Sequence, residues 1–428
     1  MKPYILIVSI ILFFSCKEKP LDTPKIINQK TNSISTIPVI DSSYIATKTR
    51  YFTVDSTTIK GEGRIVIDTI LSQSQFVMFG ENHGSKATSQ LITALVPMLY
   101  ANEFHHTAFE VGPNSAKKLI DLSTPISTTV EKLKTFNTRY SLKEDYQYPI
   151  PFFSGVEDAQ FLQAVRQKNM NIWGLDQEYY YAAPYFMDEL LFLMKGHPDY
   201  AKIELEKEKT VDIIKSWYAQ KEASKIFDSI QKDPVVQQYF NRFAGNALAE
   251  QMLNDFKISW DIYNRWKEDS HADRISYMRT NFMNRYNEAL ETETAPKVFL
   301  KFGSLHASKI LTNTCYDLGD LVTQLAKKNA SKATTINSWH RYYINEKGEE
   351  EDHLIKYASY YKRLQDFMVQ AKRDQWAIIN LKSIRDDILK GRIALPANGD
   401  YHRIKSLIDG YDYQLILPLD TEVTPNKG

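Results

Sequence analysis

Two short passages carry side chains able to move protons. "FVMFGENHGS" (76–85) ends an apolar run at Gly80 and then places Glu81 and His83 within three positions. "KVFLKFGSLHAS" (297–308) repeats the arrangement with Gly303 and then His306. "AFEVG" sets Glu110 at the end of a third apolar run, and "WGLDQE" sets Asp176 and Glu178 at the end of a fourth. An imidazole of ordinary pKa, about 6.5, can take a proton from water at neutral pH. A neighbouring carboxylate would hold its tautomer and stabilise the imidazolium. Glu81, His83, Glu110 and His306 are equally a donor set for a divalent transition metal. Spacing leaves both chemistries open. Glu110 is the most constrained of the set, because an unpaired carboxylate is costly to bury.

The elements that must position these groups follow a β-α rhythm. The four apolar runs read as buried parallel strands, continuous in hydrophobic residues. "SQLITALVPMLYAN", "NSAKKLIDL" and "EDAQFLQAVRQKN" read as the helices between them, with Pro97 a kink point in the first. Such alternation predicts an α/β fold: a mainly parallel sheet flanked by helices. Ligands in that architecture bind beyond the carboxyl ends of the strands, where all six polar residues fall. The rhythm breaks over about 180–292, where long helical patterns predict a large helical insertion or cap. The sheet resumes with "KVFLKFG", and "TTINSWHRYYI", "WAIINL" and "YDYQLILPL" are later strands. His105 and His106 precede a strand at the other end of the sheet and are expected at the surface. The aromatic run "YYYAAPYF" (179–186) is expected in core.

The chain has 428 residues, and its 43% hydrophobic content can fill a substantial core. Lys and Arg total 53 against 52 Asp and Glu, so no basic excess points to nucleic acid. The start, "MKPYILIVSIILFFSC", has a short apolar run fitting an export signal. A small residue before Cys16 resembles the bacterial lipobox, with Phe13 and Phe14 in place of the usual residues. This predicts a signal peptide over 1–16, lipidation of Cys16, and anchoring to a membrane of the bacterial cell envelope. Residues 17–55, polar and aperiodic over most of their length, are read as a flexible tether, and 56–420 as the α/β domain. Cys315 is expected as a buried apolar residue. The sequence lacks G-x-S-x-G, H-E-x-x-H, a phosphate loop and G-x-G-x-x-G. Hydrolysis would therefore use activated water.

"FGENHG", "AFEVG", "WGLDQE", "DRISYMRTNFMNRYNEAL" and "KVFLKFGSLHAS" occur in an order that resembles the erythromycin esterase family. That family shares a superfamily with ChaN-type haem-binding lipoproteins and the TraB and TIKI proteins. The resemblance implies an ester- or amide-cleaving hydrolase acting on a small-molecule or peptide substrate. It implies catalytic roles for Glu81, His83, Glu110 and His306, with Asp176, Glu178 and Asn281 as substrate-binding residues. Arg274, Met278 and Asn281 match the family's Arg-x-x-x-Met-x-x-Asn helix, which makes Arg274 a cationic pocket wall. Two departures turn toward other branches. One residue, Asn82, separates acid from histidine, and Gly303 stands where the closing motif usually carries a first histidine. The TIKI likeness implies Mn, Co or Zn on Glu81, His83, Glu110 and His306. The ChaN likeness implies haem, held by His83, His306 or a tyrosine of 179–181.

Overall fold

The computed structural model describes residues 37–55, 57–142, 148–220, 226–268, 270–397 and 399–428. Its strands are β1 (Thr49–Asp55), β2 (Thr58–Lys60), β3 (Phe76–Glu81), β4 (Phe104–Phe109), β5 (Asn171–Gly174), β6 (Lys297–Gly303), β7 (Ala333–Trp339), β8 (Tyr342–Ile344), β9 (Glu350–Asp352), β10 (Trp376–Asn380), β11 (Tyr413–Ile416) and β12 (Asp420–Thr421). Nine of them form one sheet in the order β2-β1-β10-β11-β7-β3-β6-β4-β5. From β11 to β5 all neighbours are parallel, while β10 and β1 run antiparallel at one side. A small sheet, β12-β8-β9, lies beside it in the topology.

The central strands β3 and β6 are buried along nearly their whole length because both faces are covered. Along β3, Phe76 and Met78 enter one core cluster while Val77 and Phe79 enter the other. β6 divides likewise, with Leu300 and Phe302 on the first face and Phe299 on the second. Each such side chain contributes about 1.5–3 kcal/mol on burial. On the first face lies the helix His271–Leu290, whose Ile275, Met278, Phe282 and Tyr286 recur at intervals of three or four residues. On the second lie the helices Glu62–Gln73, Lys86–Ala101, Pro113–Leu122 and Val156–Gln167. Pro97 sits inside the second of these without ending it.

The region read as one helical insertion divides in two. Helices Ala183–Phe192, Tyr200–Tyr218, Ile226–Lys232, Pro234–Asn241 and Ala247–Asn264 build an aromatic cap around Tyr185, Phe186, Tyr239, Phe256 and Trp260. The helix His271–Leu290 instead covers the sheet, since its stripe matches the strand face rather than the cap. The expected tether also ends earlier. Residues 38–55 are folded: Ile40 donates to the Ala394 carbonyl, and β1 pairs with β10. β1 was not readable as a strand because "TRYFTVD" mixes polar and apolar residues, with only Thr49 and Phe52 buried, instead of running apolar. The expected signal peptide, Cys16 and the rest of the tether to residue 36 lie outside the described residues. No helix among the described residues is long and apolar enough to cross a membrane. Two smaller expectations fail. His106 is a buried member of β4, bonded to Glu293 at 2.7 Å, and Cys315 is half-buried in the Thr312–Cys315 turn.

Candidate active site

Strand pairing brings the sequence motifs together. Glu81 at the end of β3 stands opposite Gly303 at the end of β6, and Phe109 of β4 stands opposite Lys301 and Gly174. Glu81, Glu110, Asp176 and His306 are consequently buried at one carboxyl edge, and His83 lies above them, 40% exposed.

His83 Nδ1 lies 3.2 Å from Glu81 Oε1, and its Nε2 lies 3.8 Å from Glu110 Oε2. The Phe152 ring stacks on the imidazole at 3.9 Å. Glu81 Oε2 receives the Lys301 ammonium at 2.6 Å. Burial alone would raise the Glu81 pKa, but Lys301 and His83 together hold it below the usual value. An ionised Glu81 orients Nδ1–H toward itself and leaves Nε2 as the nitrogen with a lone pair to offer.

Next to His83, through Glu110, lies a buried ionic cluster. Arg274 donates to both oxygens of Asp176 at 2.9 and 2.5 Å, and to Glu110 Oε1 at 2.9 Å. Glu110 Oε2 accepts the Gly303 N–H at 2.6 Å. His306 Nε2 lies 3.3 Å from Glu110, and its Nδ1 lies 2.7 Å from Asp317. Burial opposes the charge on His306, yet Glu110 and Asp317 push its pKa up to about 10. The burial that would raise Glu110 is outweighed by His306, His83 and Arg274, which leave it well below the ordinary range. Two buried carboxylates thus hold the His306 ring toward its charged form. Arg274 keeps one group for other use: its Nη1 has no acceptor among the described residues.

Gly303 is demanded by this packing. A Cβ there would lie 2.8 Å from His83 Nε2 and 3.3 Å from Glu110 Oε2. The missing side chain at Gly303 is thus the space the imidazole occupies. Gly84, next to His83, takes φ +75°, a left-handed conformation that glycine adopts without steric cost.

Of the three expected substrate-binding residues, Asp176 belongs to the cluster through Arg274. Asn281 donates to the Leu175 carbonyl at 2.9 Å and holds the chain next to Asp176. Glu178 turns away entirely. It is fully buried and accepts from Asn114 N–H at 2.7 Å and Ser115 Oγ at 2.6 Å, at the start of the helix Pro113–Leu122. Burial pushes its pKa up to about 7, against the lowering effect of those donors. Two participants were not anticipated. Lys301 had a signal, since a lysine inside an apolar strand needs a buried partner. Asp317 had a weaker one, as the N-cap of the helix Leu318–Lys328.

The donors do not fit a divalent metal. Every Glu110 and Glu81 oxygen faces an N–H, an ammonium, a guanidinium or an imidazole, and both His306 nitrogens face carboxylates. Arg274 and Lys301 add two fixed cations where an ion would sit. Among the described residues no group of three or more His, Cys, Asp or Glu side chains is arranged to hold one. Of the ligands expected for haem, His306 has a carboxylate at each nitrogen and Tyr180 and Tyr181 are packed on Tyr218, Phe227 and Tyr263, which leaves His83 alone with an exposed ring.

No protein-family model matches the sequence, and no curated protein matches it. Solved structures do. A succinoglycan biosynthesis protein aligns over 89% of this chain and 97% of its own, with TM-score 0.50 and 14% identity. An erythromycin esterase variant in its open conformation aligns over 88% and 98%, with TM-score 0.49 and 11% identity. A Bacillus cereus protein aligns over 90% and 98%, with TM-score 0.49 and 13% identity. Identities this low speak of architecture and not of reaction. The chain shares its α/β fold with the succinoglycan biosynthesis protein.

Proposed function

We propose that this chain is a hydrolase that cleaves an ester or amide of a small-molecule or peptide substrate with water activated by His83. The observation that carries the reading is the state of the His83 ring. It is the exposed imidazole of the cluster, its Nδ1 is directed to an ionised Glu81, and its Nε2 lies 3.8 Å from Glu110, the carboxylate that Arg274 and His306 hold from the other side. In the proposed step Nε2 takes a proton from water as the oxygen adds to the substrate carbonyl. The oxyanion that forms is stabilised by the unshared Nη1 of Arg274. Collapse of the tetrahedral intermediate expels the alcohol or amine, which recovers the proton from the His83 imidazolium. Glu110 and Asp176 hold Arg274 in place, and His306 and the Gly303 N–H hold Glu110. The aromatic cap sets which substrates enter. The N-terminal signal pattern supports export and lipid anchoring through Cys16 at the cell envelope.

A panel of aryl, aliphatic and lactone esters and amides, incubated with wild type and with His83→Ala, tests the reading. Wild type turns over at least one member. The variant loses about 10²- to 10⁴-fold in rate, and its melting temperature changes little because the side chain is exposed. Equal turnover by a folded His83→Ala protein would remove His83 from the chemistry.

A further inference from the structure

Residues 420–426 run across two loops of the site. Asp420 is buried, and its Oδ2 accepts from Ser85 Oγ at 2.6 Å while Oδ1 accepts from the Ala87 N–H at 2.8 Å. The same Oδ2 faces His340 Nε2 at 2.6 Å, and β12 pairs with β8. Further on, the Val423 N–H donates to the Gly84 carbonyl at 2.9 Å. The segment then crosses to the second loop. The Val156 N–H donates to the Thr424 carbonyl, and the Asn426 N–H to the Ser154 carbonyl, both at 2.8 Å. Glu157 accepts from the Thr424 N–H at 2.8 Å. Val423 lies so close to Gly155 that a Cβ at that glycine would be 2.3 Å from its own.

The two loops share one neighbour. Gly84 and Ser85 directly follow His83, and Ser154 follows the Phe152 whose ring stacks on the His83 imidazole. Phe152 has φ +63°, the left-handed region. A bulky residue is strained there and persists only where its surroundings over-determine it. The surroundings here include the hydrogen bonds to residues 424 and 426.

We infer that Asp420–Asn426 is a positioning strap for His83. It ties the loop that carries the imidazole to the loop that stacks on it, and so sets the ring's angle toward Glu81. The inference rests on reading His83 as the base. Asp420, Val423 and Asn426 are positioning residues that act through the ring.

A chain ending after Thr421, which keeps Asp420 and β12, tests it by histidine side-chain ¹⁵N–¹H NMR, with His83 signals identified from His83→Ala. The expected result is movement of the His83 ring nitrogens toward a tautomer average while the His306 signals stay in place. On any ester that is hydrolysed, kcat falls about tenfold with KM little changed. Unchanged His83 signals in the folded truncated protein would overturn the strap. Should truncation abolish cooperative melting, the double variant Val423→Gly with Asn426→Ala decides by the same two outcomes. Displaced His83 signals together with full turnover by His83→Ala would leave the strap standing and the base assignment fallen.

Discussion

His83 and His306 follow neighbouring strands, each a few residues beyond a glycine, yet the protein puts them in opposite states. The His306 ring is buried with carboxylates on both nitrogens, and its charge is fixed. The His83 ring is exposed, has a carboxylate within bonding distance on one nitrogen only, and rests on an aromatic face. An imidazole with both nitrogens committed is a structural cation. One with a single committed nitrogen can carry a proton between water and product. Residue type and spacing marked both histidines as candidates. The number of carboxylates around each ring is what separates them.

The sharpest way to break this contrast is to remove the buried ring. His306→Ala leaves Glu110 and Asp317 without their shared cation, which costs about 3–5 kcal/mol of stability, read by chemical denaturation. A loss no greater than that of His83→Ala would erase the distinction. Gly303→Ala comes next. Its Cβ would press on His83 Nε2 at 2.8 Å, and the exposed ring is the side free to give way. Turnover drops about tenfold or more, while the melting temperature falls less than in His306→Ala.

A smaller effect follows pH. The His306 pKa is raised from 6.5 to about 10, so its contribution is complete below 6.5 and fades as pH climbs toward 10. The stability gap between wild type and His306→Asn should therefore narrow over that range. Glu110 behaves oppositely: its depressed pKa gives stability that is present above 4.5 and is lost as pH falls below it. Denaturation curves from pH 4 to 10 check both directions. The smallest effect belongs to Glu178→Gln. The amide oxygen still accepts from the Asn114 N–H while the amide N–H donates to Ser115 Oγ, so turnover is unchanged and stability at pH 7 moves by about 1 kcal/mol or less. A large loss of rate would return Glu178 to the site.

Much of this was legible in the sequence, and the failures have physical causes. Glu81, His83, Glu110 and His306 could be found because a long apolar run that ends in a polar group marks a strand's carboxyl edge. Glu178 carried the same mark and misled. A carboxylate two residues beyond Asp176 can equally fold back onto a helix N-terminus, and this one does. The His306–Asp317 pair has no periodic signature, since a loop joins the two residues through space. β1 went unseen because only Thr49 and Phe52 of its seven residues are buried, too few to make an apolar run. The helix His271–Leu290 was placed in the cap because its periodicity shows that it is amphipathic, not which surface it covers.

Chemical rescue bears most directly on the central claim that His83 carries the proton and His306 carries only structure. His83→Ala and His306→Ala are assayed on a hydrolysed ester with and without added imidazole, at a temperature where both variants are folded. The account predicts that free imidazole restores part of the lost rate to His83→Ala and none to His306→Ala. Rescue of His306→Ala, with His83→Ala active and indifferent to imidazole, would contradict it.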